Sequence, residues 1–115
     1  MINISFSRDD ETISLRLNGH AGQAEMGQDL VCASASILTY TVAHTLEYID
    51  AQGGLKARPH IRLNGGDAEI ICKPNEDWEG TVLNTFFVAE VGYTLLAHNY
   101  PQYVELKMFG ETARS

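Results

Sequence analysis

The first part of the chain alternates hydrophobic and polar residues. Residues 2–6 and 13–17 each carry an apolar side chain at every second position, which is typical of strands with one buried face. The polar segment 8–11 between them predicts a turn, so the two strands should form an antiparallel hairpin. A second hairpin is predicted from residues 61–63 and 68–72, which alternate in the same way around a glycine-containing turn.

Two longer segments show helical spacing instead. The first helix is predicted to begin after Asp29 as its N-cap, to run for about 20 residues and to stop at Gly53-Gly54. A second helix opens at residues 74–77 and ends near Asn99, before Pro101. The apolar positions are Val31, Ala35, Leu38, Val42, Leu46 and Ile49 in the first helix, Leu83, Phe86, Phe87, Val91 and Leu95 in the second, and Val104, Leu106 and Met108, facing inward, in a last strand.

The element order ββαββαβ predicts an α+β fold, with a five-stranded sheet and two amphipathic helices packed on it. The chain has 115 residues, of which 44% are hydrophobic and 20% charged. This length and balance predict a single domain, residues 1–115, with a buried core. A sheet of this kind has edges that need cover, and a homodimer is one ordinary way to supply it.

The charge and the hydropathy pattern narrow the range of partners. A net charge of −7 argues against direct binding of nucleic acid and favours a basic protein or peptide. Residues 30–49 form the longest largely apolar stretch, but too many polar side chains interrupt it for a membrane helix. The first residues show no secretory signal, so the cytoplasm is the expected compartment.

Cys32 is the candidate nucleophile. It falls in the first turn of the predicted helix, where unpaired N–H groups and the helix dipole would stabilise a thiolate. His20, at the end of the second strand and before the glycine-containing loop 21–28, is the candidate base. Such a pair could attack a carbonyl carbon. The alternative is a buried cysteine that acts as a small hydrophobe, which is the simplest interpretation of Cys72.

The segment 19–36, Gly-His-Ala-Gly-Gln-Ala-Glu-Met-Gly-Gln-Asp-Leu-Val-Cys-Ala-Ser-Ala-Ser, resembles the signature of the Prp-type ribosomal-processing cysteine proteases. That family has a Gly-His-Ala segment, a loop with glycine, and a helix start of the form Asp-Ile-Val-Cys-Ala-Ala-Val-Ser. Leu30, Ser34 and Ala35 stand where the family commonly has Ile, Ala and Val. These three changes fall at packing positions and leave the reactive pair intact.

The resemblance implies a cytoplasmic homodimeric thiol protease that removes an N-terminal extension from a large-subunit ribosomal protein precursor during ribosome biogenesis. It implies Cys32 as nucleophile and His20 as general base, with no cofactor. Asp29 and Ser36 are motif positions. Asp29 could cap the helix or orient His20, and Ser36 could bind substrate or bond back to a helix carbonyl.

Gly22 and Gly27 could be hinges of a loop that admits a peptide, or could only relieve backbone strain. A zinc site is not expected, because His20 and Cys32 lack further ligands at the usual spacing. Two other classes of function stay open. The protein could bind a basic ribosomal protein as an assembly factor without cutting it, or could be a structural dimerisation module with an unreactive Cys32.

Overall fold

The structure is a computed structural model that describes residues 1–19 and 26–109, with the side chains of the first helix described from residue 30 onward. The observed order of strands and helices confirms the predicted ββαββαβ arrangement and the α+β class. The elements are β1 (Ile2–Asp9), β2 (Thr12–Asn18), α1 (Met26–Ala51), β3 (His60–Asn64), β4 (Asp67–Cys72), a short 3-10 helix (Glu76–Trp78), α2 (Glu79–Asn99) and β5 (Val104–Lys107).

The five strands form one mixed sheet in the order β3-β4-β2-β1-β5. β1 pairs in parallel with β5, whereas β1 with β2, β2 with β4 and β3 with β4 are antiparallel. In this register Ile4 lies opposite Leu17 on β2 and Leu106 on β5. Because neighbouring strands keep the same alternation, one face of the sheet is apolar along its whole width.

The core lies between this apolar face and the two helices. Phe6, Leu15 and Ile70, on three neighbouring strands, have no exposed surface. The predicted apolar stripe of α1 is confirmed, since its members are buried and only Leu38 is half-buried. The chain turns sharply after α1 at Gly53, which has a φ of 79° that favours glycine.

The buried face of α2 differs from what its most apolar positions suggest. Phe86 has no exposed surface, but Phe87, Val91 and Leu95 are exposed. Apolar residues occur on nearly every side of this helix, so periodicity alone does not define the face that packs on the sheet. The buried residues of α2 are Val82, Phe86, Ala89, Glu90, Tyr93 and Leu96.

Two further predictions of detail are wrong. β5 ends at Lys107, and Met108, predicted to face inward, is exposed. α1 begins at Met26 rather than after Asp29, so Asp29 lies inside the helix and is not its N-cap. Gly27 favours a loop in the sequence, but one glycine costs a helix only about 1 kcal/mol, which the extra helical hydrogen bonds offset.

Within the described part of the chain, the segment Glu76–Asn99 is long and apolar enough to cross a membrane by length and composition. Several of its side chains are instead packed in the core, among them Val82, Phe86 and Tyr93, which have no exposed surface. α2 therefore covers the sheet through one side and leaves apolar side chains on the other.

Cys72 is buried in the core, as predicted, and its burial makes the stability of the fold depend on pH. Burial raises the pKa of this thiol from 9.0 to about 12. Between these values the unfolded chain loses the proton and the folded chain keeps it, so this contribution to stability is present below pH 9 and is lost as the pH rises toward 12. We expect Cys72 to lower the free energy of unfolding by about 1.4 kcal/mol at pH 10.

Urea unfolding at pH 7 and pH 10 measures this effect in the wild type and in Cys72→Ala. The variant should be less stable at pH 7, because it loses buried apolar volume, but its stability should fall less between the two pH values. Equal falls in the two proteins would contradict the prediction. Burial also raises the pKa of Tyr93, so the free energy of unfolding of Cys72→Ala should still fall at high pH, but by less than that of the wild type.

Candidate active site

A cavity of about 400 Å³ opens beside Cys32. One wall is the first half of α1, and the other wall consists of the ends of β1 and β2 and the β3–β4 hairpin. Most of the surface is apolar, with polar groups where the strands end. The lining residues are Ile2, Leu17, Asn18, Gly19, Cys32, Ala35, Ser36, Thr39, Tyr40, Leu63, Asn64, Gly65, Gly66, Asp67 and Ala68.

The α1 wall follows from helical spacing. Cys32, Ala35, Ser36 and Thr39 are separated by three or four residues, so they share one face of the helix. Cys32 is half-buried and forms no disulfide with the buried Cys72. The structure therefore brings the predicted nucleophile and the predicted supporting residue Ser36 to the same cavity.

The observed start of α1 places Cys32 farther from the N-terminal end of the helix than the sequence predicts. Because α1 begins at Met26, Cys32 is its seventh residue and lies in the second turn, past the unpaired N–H groups of the first turn. The effect of the helix dipole falls off beyond the first turn. The prediction that Cys32 sits in the first turn is wrong, so the helix end would stabilise a thiolate at this position less than that prediction implied.

The opposite wall is held by close backbone contacts at Gly19. The Gly19 N–H donates to the carbonyl oxygen of Gly66 in the β3–β4 turn, with an N to O distance of 3.1 Å. Gly19 has a φ of 119°, and a Cβ built on it would lie 2.0 Å from the carbonyl oxygen of Met1. Only glycine fits this position, which joins the end of β2 to both the start of β1 and the β3–β4 turn.

Charge is sparse in the cavity. Asp67 is the one acidic residue among the described lining residues, and Arg62 donates to both of its carboxylate oxygens, at 3.1 and 3.2 Å. Among the residues that the structure describes, no group of three or more His, Cys, Asp or Glu side chains could hold a metal ion. The cavity is suited to a largely apolar ligand with a few polar groups at its rim.

The predicted site residues have different outcomes. Cys32 and Ser36 line the cavity, whereas His20 and Gly22 lie outside the described residues. Gly27 and Asp29 lie in the first turn of α1.

Sequence reasoning did not assign the β3–β4 turn, Thr39 or Tyr40 to the site. The signal for Thr39 and Tyr40 was their helical spacing from Cys32, but nothing in the sequence links the distant turn at residues 64–67 to this helix.

The comparison of the sequence with family models decides the family. Residues 1–105 match the model of the family described as cysteine protease Prp. The chain belongs to the Prp family. The resemblance that the motif around Cys32 indicates is thereby confirmed, and so is the class of enzyme, a cysteine protease. No curated protein matches the chain.

Solved structures share the Prp fold seen here. The essential ribosomal processing protease Prp from S. aureus, in complex with a substrate peptide, is 21% identical with a TM-score of 0.69, and the match covers 94% of this chain and 99% of that one. The same S. aureus protease with a covalently linked product peptide is 23% identical, with a TM-score of 0.67 and the same coverage. SMU.848 from Streptococcus mutans is 26% identical, with a TM-score of 0.67 and coverage of 95% and 94%.

The contacts at Gly19 predict that Gly19→Ala damages both stability and activity. The added Cβ must displace the Met1 carbonyl, and an alanine at this position must adopt an unfavourable φ. Together these effects cost about 1–3 kcal/mol. Gly53→Ala is the matched control, since Gly53 also has a positive φ but has no atom within 4 Å of the added Cβ. We expect both variants to lose stability in urea titrations, but only Gly19→Ala to lose peptidase activity; equal activity in the two would contradict the role of the contacts.

Proposed function

We propose that the protein is a cysteine endopeptidase in which Cys32 is the nucleophile and His20 the general base. The observation that carries the proposal is a half-buried thiol at a cavity of about 400 Å³, in a chain of the Prp cysteine protease family. Gly19, which also lines the cavity, immediately precedes His20 in the sequence.

The proposed reaction has two steps. His20 takes the thiol proton of Cys32, and the thiolate attacks the carbonyl carbon of the scissile bond. The C–N bond breaks as the imidazolium gives that proton to the leaving amine, which leaves a thioester on Cys32. Water then attacks the carbonyl carbon of the thioester while His20 accepts a proton from that water. The C–S bond breaks, the new carboxyl terminus leaves, and the imidazolium returns the proton to the sulfur of Cys32. The covalently linked product peptide described for the S. aureus protease supports a covalent intermediate.

The proposed substrate is a large-subunit ribosomal protein with an N-terminal extension, cut in the cytoplasm during ribosome assembly. The S. aureus protease of the same fold is described as a ribosomal processing protease bound to a substrate peptide. Ribosomal proteins are basic, and the net charge of −7 on this chain attracts a basic partner. Ser36 shares the cavity with Cys32 and is proposed to contact the peptide. Asp29, which is not the N-cap of α1, is proposed to orient His20.

Cleavage of the ribosomal protein precursor tests the proposal. The wild type should make a single cut, and both Cys32→Ala and His20→Ala should lower kcat by at least ~10³-fold, because removing either group removes nucleophilic attack. Cys72→Ala is the matched control, since Cys72 is 3% exposed in the core and takes no part in the reaction. Mass spectrometry of the products measures the cut and its position.

The outcomes separate the alternative functions. Cleavage by Cys32→Ala at the wild-type rate would overturn the proposal. Tight binding of the precursor without any cut, unchanged in Cys32→Ala, would indicate an assembly factor. If Cys32 in the folded protein reacts with iodoacetamide as slowly as Cys72, the thiol is inert and only a structural role is left.

The same proposal includes a homodimer, formed through the outer face of α1 and α2. The two helices lie in contact on one side of the sheet. Residues 30–46 of α1 contain no Asp, Glu, Lys or Arg, and the one such residue in 80–99 of α2, Glu90, is buried. The exposed apolar side chains of this outer helical face are Ile37, Tyr40, Phe87, Val88, Val91 and Leu95.

The size of this surface supports a second copy of the chain as its occupant. From their exposed fractions, the six side chains expose on the order of 700 Å², more than the largest apolar patch of a typical monomer and close to the area that each partner buries in a standard interface. A two-fold axis would bury the patch against itself without unpaired charges.

We expect Val88→Glu to convert a dimer to a monomer, because it places a charge in an apolar interface. Val88 is 68% exposed, so the monomer itself should stay folded. Asn3→Glu is the control and should stay dimeric, because Asn3 is exposed on β1 between the buried Ile2 and Ile4 and so lies on the face of the sheet opposite the helices. Sedimentation velocity measures both; a wild-type monomer, or a Val88→Glu dimer, would contradict the proposed surface.

A further inference from the structure

A buried pair of hydroxyl groups adjoins the Cys32 cavity. Thr39 of α1 lines the cavity and is 3% exposed, and Tyr93 of α2 has no exposed surface. Their hydroxyl oxygens are 2.6 Å apart. The Thr39 hydroxyl also donates to the carbonyl oxygen of Ala35 at 2.7 Å. Thr39 thus connects the second helix to a backbone group one turn closer to Cys32.

The number of hydroxyl protons determines which residue donates in the hydrogen bond between Thr39 and Tyr93. A threonine hydroxyl has one proton, and here it is donated to the Ala35 carbonyl, so the shared proton must come from Tyr93. The peptide unit between Ala35 and Ser36 continues the chain, because in an α-helix the Ser36 N–H donates to the carbonyl of Cys32. A line of donors and acceptors therefore runs from Tyr93 through Thr39 to the backbone of Cys32, and such chains strengthen one another.

The start of this line is rigid. The Tyr93 ring packs against Phe6 of β1, with ring centroids 5.8 Å apart. At the neighbouring residue Gly92, an added Cβ would lie 2.8 Å from a methyl group of Leu38 on α1, so the two helices are in close contact at this level. Tyr93 cannot shift without moving the core, and its hydroxyl is therefore a fixed reference point for α1.

We propose that Tyr93 and Thr39 are positioning residues for the peptidase reaction. They hold the third and fourth turns of α1, which directly follow the turn that carries Cys32, at a set distance from α2, and so set where Cys32 meets the peptide in the cavity. The inference rests on the proposed role of Cys32 as nucleophile. It goes beyond that role, because it gives Tyr93 a part in the placement of Cys32, although Tyr93 is wholly buried, belongs to the other helix and does not line the cavity.

The chain contains a natural control for the hydroxyl group. Thr41 and Thr45 also donate to helix carbonyls, at 2.6 and 2.7 Å, but their hydroxyls are in exposed surroundings. All three threonines make the same bond to the residue four positions earlier. Thr39 differs from the other two in its burial and in its bond to Tyr93. A loss of activity that occurs only when Thr39 is replaced therefore cannot come from the local helix bond alone.

The experiment compares Tyr93→Phe, Thr39→Val and Thr39→Ser with Thr41→Val. For cleavage of the ribosomal protein precursor at a temperature well below the melting temperature of each variant, we expect Tyr93→Phe and Thr39→Val to lower kcat about tenfold with KM nearly unchanged. A small misplacement of the nucleophile reduces the rate without weakening binding. Thr39→Ser keeps the hydroxyl and Thr41→Val leaves the buried pair intact, so both should retain the wild-type kcat.

A second measurement needs no substrate. The rate at which iodoacetamide alkylates Cys32 at pH 7 should fall at least threefold in Tyr93→Phe and Thr39→Val, and should stay at the wild-type value in the other two variants. The double variant Tyr93→Phe/Thr39→Val should lose no more activity than Thr39→Val alone, because both changes break the same link. Tyr93→Phe retains the ring and supplies the result if Thr39→Val does not fold.

Two outcomes would overturn the inference. One is a lower melting temperature in Tyr93→Phe and Thr39→Val with unchanged kcat and alkylation rate, which is what a purely structural pair predicts. The other is an equal loss of kcat in Thr41→Val. Failure of the proposed function looks different, because Cys32→Ala would then cleave the precursor as well as the wild type does, whatever happens at Thr39.

Discussion

The apolar face of the sheet has to be buried by only two helices, and the rest of the structure depends on this constraint. α1 packs through the stripe that includes Val31, Val42 and Leu46, and α2 packs beside it through Phe86 and Tyr93. Because α1 lies close to α2 rather than over the end of the β3–β4 hairpin, Leu63 and Ala68 are only partly covered. The space left there is the cavity beside Cys32.

The chemistry of the site follows from this packing more than from the helix end. Cys32 lies in the second turn of α1, so the N-terminal amides act on it less than on residues of the first turn. Its environment is instead the cavity, which Thr39 also lines, and Thr39 is bonded to Tyr93 of α2. In the proposed reaction, Cys32 therefore depends on a neighbouring base and on the packing of α1 against α2.

The two cysteines illustrate how the fold separates similar residues. Cys72 faces the core from β4, where burial raises its pKa to about 12 and keeps it protonated. Cys32 is half-buried at the edge of the same core and borders a cavity. Cys72 lies on the inner face of a strand and is a packing group, whereas Cys32 lies on the flank of a helix and lines the cavity.

The amino-acid sequence was enough to predict the strands, the order of the elements and the buried stripe of α1, because these depend on local periodicity and on turn residues such as Gly53. It also determined the family, through the contiguous motif around Cys32. It did not determine which side of α2 is buried, since that helix is apolar on most sides, nor the true start of α1 at Met26. Only the tertiary structure brought the β3–β4 turn to Gly19 and Tyr93 to Thr39, because these contacts join residues far apart in the chain and depend on how the helices and strands pack in three dimensions.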